Sequence, residues 1–281
     1  MFGRAGRIQQ LLQVLMQGFQ PGKLRALFLV CVGLVCFLFP FGAVFVAGGL
    51  LPRDVAWTAS VIIVLTALAV LLSEMRGGSA GTAARRFGVL APVLFGVEWL
   101  GVHTGYPFGT YQYTPVLGAT VLGVPLAIPF AWYATVVNSW RLAQGILGDR
   151  EKRSRIAVAV MVGILTVALD LILEPMASLV KYYWVWEWGT VPIYNYLSWF
   201  VFSSLAAYRL ESLRPLDRAA ERGAQMSAVI LCGTQVALFI MTDAVNSQLL
   251  PVILAAGIAF LGAGLVRRLA IAFRPSGRET A

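Results

Sequence analysis

Three carboxylates inside apolar stretches are the residues of this chain best suited to chemistry. Glu98 lies in the run FGVEWLGVHTG, and Asp170 and Glu174 lie in the run TVALDLILEP. Asp170 and Glu174 are four residues apart, so they share one face of a helix. Two such carboxyl groups can supply a proton donor and a proton acceptor when their surroundings differ. The pattern therefore predicts acid–base chemistry in an apolar setting.

These acids have an alternative explanation, because a carboxyl group within a membrane span can also serve in an interhelical hydrogen bond or ion pair. The ion-pair alternative is weak here, since neither run contains a Lys or Arg. Asp243 is a further acid in an apolar run. It is interpreted either as an interfacial residue or as a contributor to the same site.

The elements that position these acids are predicted to be membrane-spanning helices. The composition is 59% hydrophobic and only 12% charged, with a mean hydropathy of +0.78. A bilayer core needs about 20 apolar residues per helix. The runs that meet this need are roughly 24–48, 55–73, 87–104, 121–141, 156–180, 193–210, 225–243 and 249–266. The chain is therefore predicted to be an all-α, polytopic membrane protein with eight spans.

The basic residues predict the orientation of the spans. Of the 22 Lys and Arg residues, all except Arg53 and Lys181 fall in the first and then every second segment outside the spans. Cytoplasmic loops retain Lys and Arg, whereas translocated loops lack them. We therefore expect a multi-pass protein of the cell (inner) membrane with both termini in the cytoplasm. At about 1.5 Å per residue, the three acids fall at or beyond the midplane, towards the outer side.

The domain organisation follows from the same patterning. Residues 1–22 alternate apolar and polar side chains at helical spacing, which predicts an amphipathic helix in the membrane surface. An ordered cytoplasmic helix is the alternative. Residues 23–270 form one predicted transmembrane domain, with the motif-bearing core at 86–210, and residues 271–281 form a cytoplasmic tail.

Several classes of function are excluded by composition. The net charge of +9 is divided among short loops without interleaved stacking residues, so we expect no nucleic-acid partner. A single histidine is too few for the histidine-rich iron sites of membrane desaturases and hydroxylases. Cys31, Cys36 and Cys232 are too scattered for a disulfide framework or a zinc site. We therefore expect no metal site of these kinds. Membrane lipid is expected to surround the chain.

Two predicted outer loops are rich in aromatic residues. An interfacial belt of Trp and Tyr is one explanation, but the density favours a cleft for a long apolar ligand, and aromatic faces also stabilise cations. The candidate binding residues are Tyr106, Phe108, Tyr111, Tyr113, Trp132, Trp184, Trp186, Trp188 and Trp199, together with His103 and Asp243. His103 is interpreted either as a structural hydrogen-bonding residue or as a proton relay or substrate contact.

A repeat connects the two loops. GVPLAIPFAWY (123–133) and TVPIYNYLSWF (190–200) align without gaps, with Val-Pro followed by Trp seven residues after the Pro. Each copy opens a span that follows an acid-bearing span and an aromatic loop. The pattern predicts duplicated helical hairpins.

These motifs in combination resemble a known family. The E…G-x-P-F-G-x-Y-x-Y run, the G-V-P-x-x-I-P-x-x-W run and D-x-x-x-E-P ahead of a Trp-rich loop are similar to the membrane-integral carotenoid hydratases. That family includes the carotenoid 1′,2′-hydratases and the bisanhydrobacterioruberin hydratases. The resemblance covers about residues 86–210. It implies cofactor-free addition of water to the terminal double bond of an acyclic ψ-end, with a carotenoid substrate and other carotenoid-pathway enzymes as candidate partners.

The implied chemistry fits the acids. Hydration of an isolated alkene needs a strong acid at carbon 2 and then water at the tertiary cation on carbon 1. A carboxylic acid can donate the proton, and a carboxylate can orient and deprotonate the water. We hypothesise that Asp170 and Glu174 form the reacting pair and that Glu98 is either the donor or the neighbour that adjusts the pair. Asn195 is the candidate to position the water.

Two other functions remain open at this point. A membrane lycopene-type cyclase would use the same protonation but would quench the cation within the substrate. A proton-coupled transporter would also require carboxylates within the membrane. The outward position of the acids and the equal orientation of the two hairpins favour the enzyme over the transporter.

Overall fold

The computed structural model describes residues 4–48, 50, 57–213, 216–246, 257 and 262–271. The helices, which dominate, are α1 (Arg4–Leu15), α2 (Lys23–Ala47), α3 (Thr58–Glu74), α4 (Ala80–Thr104), α5 (Ile128–Leu147), α6 (Arg155–Glu174), α7 (Ile193–Glu211), α8 (Arg218–Val245) and α9 (262–271). The strands are β1 (Tyr111–Tyr113), β2 (Thr120–Val121), β3 (Val124–Pro125) and β4 (Trp184–Trp186). The all-α class is therefore confirmed, with two short two-stranded sheets added in the loops.

Three of the described helical segments are long and apolar enough to cross a bilayer, namely Ala80–Thr104, Arg155–Val180 and Arg218–Val245. Thr58–Glu74 is a shorter apolar helix. Large apolar side chains on the outer faces of these helices are exposed, as at Val89 and Ile164. The prediction that the chain is a membrane protein is therefore confirmed by helices of sufficient length and apolar composition. The number of eight spans and the side of the termini stay predictions, and most of the run 249–266 lies outside the described residues.

The helix that follows the first aromatic loop begins later than the sequence predicted. The expected span was 121–141, but α5 runs from Ile128 to Leu147. The reason is a tight hairpin, in which Thr120 pairs with Pro125 and Val121 with Val124. Leu122 and Gly123 form its turn with φ values of +49° and +79°, the left-handed region that two-residue hairpins use.

A buried ionic cluster ties one end of the bundle together. The guanidinium of Arg141 on α5 donates two hydrogen bonds to the carboxylate of Glu74 on α3, at 2.7 and 2.5 Å. Arg86 on α4 donates to the same carboxylate at 2.8 Å. All three side chains are buried. Because removal of one partner would leave an uncompensated buried charge, the cluster holds the ends of three helices in a defined relation.

The predicted N-terminal helix is present as α1 and packs against α8. Arg76, in the turn between α3 and α4, donates hydrogen bonds to the carbonyls of Leu15 and Gln17 and to the hydroxyl of Ser227. One buried arginine thus fastens the end of α1 to α8. Whether α1 also lies in a membrane surface stays a prediction.

The hairpins α4–α5 and α6–α7 surround the region of the acids. Helices α6 and α7 pack closely along their length. A Cβ at Gly163 on α6 would lie 2.6 Å from the ring of Phe200 on α7, so glycine permits this approach. Strand β1 from the first hairpin pairs antiparallel with β4 from the second, which joins the two aromatic loops.

Candidate active site

A cavity of about 190 Å³ lies between α3, α4, α5, α6, α7 and α8. Glu98 on α4, Asp170 and Glu174 on α6, and Asn195 in the first turn of α7 all line it. Each of these four polar side chains is buried. The fold thus brings the three acids and the amide, which are up to 97 residues apart in sequence, to one apolar chamber.

Glu98 accepts hydrogen bonds from three neutral donors. The hydroxyl of Tyr111 donates to Oε1 at 2.5 Å, and the hydroxyl of Tyr113 donates to the same oxygen. The indole nitrogen of Trp132 on α5 donates to Oε2 at 3.0 Å. Burial, followed by the adjacent Glu98 carboxyl, raises the pKa of the Tyr111 and Tyr113 hydroxyls above the ordinary value. Both phenols therefore stay protonated and remain donors to the Glu98 carboxyl group.

Glu174 has a comparable set of neutral donors. The indole nitrogens of Trp184 and Trp186 donate to Oε2 at 3.2 and 3.0 Å. The amide of Asn195 lies 3.4 Å from Oε1. The α-helix ends at this acid, and a π-helical turn follows it from Pro175 to Val180. The turn carries the chain from α6 into the strand that supplies both tryptophans.

The donors to Glu98 and Glu174 are aligned by the strand pair β1–β4. Tyr111 is opposite Trp186, and Tyr113 is opposite Trp184. Because successive strand residues point to opposite faces, all four side chains lie on the face towards the acids. Gln112 and Val185 form the pair between them and are exposed on the other face. A three-residue ladder thus presents two phenols and two indoles to two carboxylates.

Asp170 has different surroundings from the other two acids. Its Oδ2 accepts a hydrogen bond from the amide of Asn195 at 2.6 Å. Its Oδ1 is buried and has no hydrogen-bond partner among the described residues. Since the Asn195 amide also approaches Glu174, it bridges the two acids of α6. Asp170 is therefore the acid of the three with the fewest donors.

Aromatic faces form much of the remaining wall. The rings of Trp132 and Trp199 stack with a centroid distance of 3.6 Å and an interplanar angle of 6°. These tryptophans occupy equivalent positions of the sequence repeat, so the two hairpins meet at this pair. Phe108 is buried beside Trp132, with centroids 6.0 Å apart.

The turn that places Phe108 depends on glycine and on contacts with α7. Gly109 has φ +106°, and a Cβ there would lie 2.6 Å from the ring of Pro192. The hydroxyl of Ser198 donates to the carbonyl of Pro107 at 2.9 Å. These contacts dock the G-x-P-F-G turn of the first hairpin onto the second.

The cavity wall is free of cationic side chains in the part of the chain that the structure describes. No group of three or more His, Cys, Asp or Glu among the described residues is arranged to hold a metal ion. The acids are surrounded by hydroxyl, indole, amide and apolar groups. Chemically, such a chamber can move protons and can stabilise a positive charge that forms within it.

Eleven of the predicted site residues line the cavity, and four do not. Those that line it are Glu98, Phe108, Tyr111, Tyr113, Trp132, Asp170, Glu174, Trp184, Trp186, Asn195 and Trp199. The four that lie outside it are His103, Tyr106, Trp188 and Asp243.

Helix geometry and loop position explain the four exceptions. His103 accompanies Trp99 on the exposed face of α4, where its Nδ1 lies 2.8 Å from the Trp99 carbonyl. Tyr106 and Trp188 occupy turns and are 73% and 77% exposed. Asp243 is fully buried on α8, and neither of its oxygens has a hydrogen-bond partner among the described residues. These four residues therefore lie outside this cavity, and their contact with a substrate stays a prediction.

Some lining residues were not predicted from the sequence. Among them are Thr58, Ala59, Ile62 and Ile63 of α3, and Gln235, Leu238 and Phe239 of α8. The apolar members carry no signal that separates them from other residues of an apolar helix. Gln235 could have been predicted, because a polar amide within an apolar run needs a partner or a polar cavity.

The chain also matches known proteins. The family model described as "carotenoid biosynthesis protein" matches residues 56–262. The bisanhydrobacterioruberin hydratase of Haloarcula japonica is 30% identical over 232 residues, which are 78% of this chain and 76% of that protein. No solved structure matches the chain. The family match spans every residue that lines the cavity, and the chain therefore belongs to the carotenoid biosynthesis protein family.

Proposed function

We propose that this chain is a carotenoid hydratase of the cell (inner) membrane. It adds water across the terminal 1,2 (1′,2′) double bond of an acyclic ψ-end, as in lycopene or γ-carotene, and forms a tertiary alcohol. The observation that carries the proposal is the unequal supply of hydrogen bonds to three acids in one apolar cavity. The hydratase relative in Haloarcula japonica supports the same reaction class.

We assign the roles of the three acids from the number of hydrogen-bond donors at each carboxyl group. Glu98 and Glu174 each have three donors directed at the carboxyl group, and such bonds favour the ionised form. Asp170 has one donor and one oxygen without a partner among the described residues. Three negative charges in one low-dielectric chamber would repel strongly. Asp170 therefore carries the proton and is the general acid.

The reaction balances with these groups alone. The Asp170 carboxylic acid transfers its proton to carbon 2 of the alkene, and the π electrons form the new C–H bond. A water molecule then attacks the tertiary cation at carbon 1, and Glu174 accepts the proton that the water loses. Transfer of that proton from Glu174 to Asp170, four residues away on α6 and bridged by Asn195, restores the starting state. The net change is the addition of one water.

Neutral donors around the carboxylates suit a cationic intermediate. Lys or Arg beside Glu98 or Glu174 would cancel the carboxylate charge and repel a carbocation. Phenol and indole groups instead stabilise the carboxylates while leaving their negative charge available. The stacked Trp132 and Trp199 add an aromatic face to the same wall, and such faces attract cations.

The size of the cavity supports recognition of the end group. An engineered cavity of roughly 150 Å³ holds benzene, so about 190 Å³ accommodates a branched chain end rather than a whole carotenoid. Ile62 and Ile63 on α3 and Leu238 and Phe239 on α8 provide the apolar side of the chamber. The rest of the polyene would extend beyond this side into lipid.

The test is expression in a host that accumulates lycopene. We expect pigments that are more polar than lycopene and heavier by one or two waters, measured by chromatography with mass spectrometry. A strain that carries Asp170→Asn serves as the inactive control. Pigments with altered retention but unchanged mass would indicate cyclisation and contradict the proposal. Unaltered lycopene in a strain with confirmed membrane insertion of the protein would contradict it as well.

A further inference from the structure

A second cavity of about 190 Å³ lies at the end of the helical bundle opposite to the acids. It forms where the loop between α5 and α6 meets the end of α7. Arg141, Arg150, Arg153 and Arg155 line it, and Glu211 is the carboxylate among its described lining residues. The proposed reaction uses none of these side chains.

The ion pairs at this cavity leave positive charge in excess. Arg141 is paired with Glu74, which it shares with Arg86. Arg150 and Arg153 share one carboxylate, that of Glu221, at 2.6 and 2.8 Å. Each buried carboxylate is therefore matched by two arginines.

The remaining acid of the lining does not reverse this excess. Glu211 accepts hydrogen bonds from the indole of Trp140, at 2.6 Å, and from the amide of Gln144. Its charge offsets that of one arginine at most. The cavity thus retains a net positive charge.

Two arginines have donor groups that the fold does not use. The Arg153 side chain is 3% exposed, and its buried Nε has no hydrogen-bond partner among the described residues. Arg155 is exposed at the same cavity and forms no ion pair with another described residue. A buried donor without an acceptor is costly, and guanidinium groups match the oxygens of a phosphate.

We propose that this cavity binds the phosphate of an anionic phospholipid. Leu213 lines the cavity and is 43% exposed, and Ile156, which follows Arg155, is 66% exposed. The anion site therefore borders an apolar surface that acyl chains would cover, which favours a lipid over free phosphate. Basic pockets between membrane helices commonly hold acidic headgroups.

The experiment uses the full chain purified in detergent. Phosphatidylglycerol, phosphatidylcholine or inorganic phosphate is added, and bound lipid is counted by native mass spectrometry while the thermal midpoint is recorded. We expect retention of phosphatidylglycerol and a higher midpoint with that lipid alone. Arg155→Gln should weaken its binding about fivefold, the effect of one basic residue at an anionic headgroup. Arg153→Gln combined with Arg155→Gln should abolish retention.

The control is Arg85→Gln, because Arg85 is an exposed arginine at the start of α4 and is not part of the cavity lining. Equal loss of phosphatidylglycerol in this variant would mean general attraction to basic loops and would overturn the proposal. If inorganic phosphate raises the thermal midpoint as much as phosphatidylglycerol does, the proposal that a lipid occupies the cavity is overturned. Arg155→Gln preserves every ion pair described above, so it tests the site even if the double variant fails to fold.

Discussion

At Glu98 and Glu174 the hydrogen bonds come from phenol and indole groups, whereas Asp170 receives a single amide hydrogen. The three residues are chemically similar, so their different surroundings must decide which one carries a proton. Asn195 contacts both acids of α6. In the proposed reaction, Asn195 orients a water between these two acids and favours proton return after each turnover.

Replacement of either acid of the reacting pair by its amide should strongly slow the reaction. Asp170→Asn and Glu174→Gln keep the size and much of the hydrogen bonding, but an amide can neither protonate an alkene nor deprotonate water. We expect each to lower the hydration rate by about 10²–10⁴-fold, measured with purified protein and lycopene in detergent. Asp149→Asn, in the exposed loop before α6, is the matched control. Near-normal rates in both amide variants would move the acid to Glu98.

Loss of one phenol donor should have a smaller effect. Tyr113→Phe removes one of three hydrogen bonds to Glu98, while Tyr111 and Trp132 still donate. We expect about a tenfold lower kcat, which corresponds to about 1.4 kcal/mol. Tyr106→Phe is the control, because Tyr106 is 73% exposed and lies outside the cavity. If the two variants have equal rates, the phenols do not contribute to catalysis.

At the scale of elements, the β1–β4 ladder determines the position of four donors at once. Backbone bonds join Glu187 to Thr110 and Thr114 to Tyr183. In an antiparallel pair, bonded and non-bonded positions alternate, so the intervening pair Gln112–Val185 is also hydrogen-bonded. The side chain of Val185 is 48% exposed, which makes its backbone accessible to a test with little change in packing.

Val185→Pro should disconnect the ladder. Proline has no N–H to donate to the partner strand, so Trp184 and Trp186 would lose their alignment with Glu174. We expect at least a tenfold loss of hydration, while Val185→Thr, which keeps the N–H and the strand propensity, should have near-normal activity. Membrane insertion, measured from the amount of detergent-extracted protein, should be equal in both. Full activity of the proline variant would contradict the role of the ladder.

Two hairpins, each with an acid and an aromatic loop, were predictable from the sequence, and so were most of the lining residues contributed from α4 to α7. The repeat positions Trp132 and Trp199 indicated equivalent places in two hairpins. Their direct stacking depends on how α5 and α7 pack, because sequence spacing does not define contacts between separate helices. His103 and Glu98 occur in one motif, yet they lie on different faces of α4.

At the scale of the whole molecule, the three acids of the first cavity and the buried arginines of the described residues lie at opposite ends of the helical bundle. The Glu74 cluster, the second cavity and the turn that holds Arg76 contain the buried arginines of the described residues, and the acid cavity has none among its described lining residues. This separation agrees with the expectation that Lys and Arg remain on the cytoplasmic side. It also keeps cations away from a site proposed to form a carbocation.

Orientation can be tested with reporter fusions. Reporters placed after Gln112 and after Thr190 should report the outer side, because both positions lie in predicted outer loops. A reporter after Asp149, in the basic loop between α5 and α6, should report the cytoplasm and serves as the control. A cytoplasmic signal at either of the first two positions would contradict the eight-span topology.

The absence of a cofactor requirement is a further prediction for the intact protein. The proposed hydration balances with one water and the carboxyl groups of Asp170 and Glu174, so turnover of purified protein should continue in the presence of chelators and without oxygen. Product is measured by mass spectrometry after incubation with lycopene. A ferrous chelator or anaerobic conditions that stop the reaction would point to oxygen chemistry instead.

The sequence by itself determined the membrane class, the acids and the two aromatic loops. These features follow from local composition and spacing. An apolar run predicts a membrane span, and a carboxylate within such a run is costly and therefore indicates a functional site. It left the roles of Glu98, Asp170 and Glu174 open, because their residue types are nearly equivalent. It also assigned His103, Tyr106, Trp188 and Asp243 to the site on composition alone.

Only the tertiary structure decided which donors reach which acid. The pairing of β1 with β4 and the packing of α7 on α6 direct phenols to Glu98, indoles to Glu174 and the Asn195 amide to Asp170. These contacts join residues that are distant in sequence, and no local pattern specifies them. The surroundings of a buried carboxyl group determine whether it holds a proton, so the chemistry of this site depends on the fold rather than on the motif.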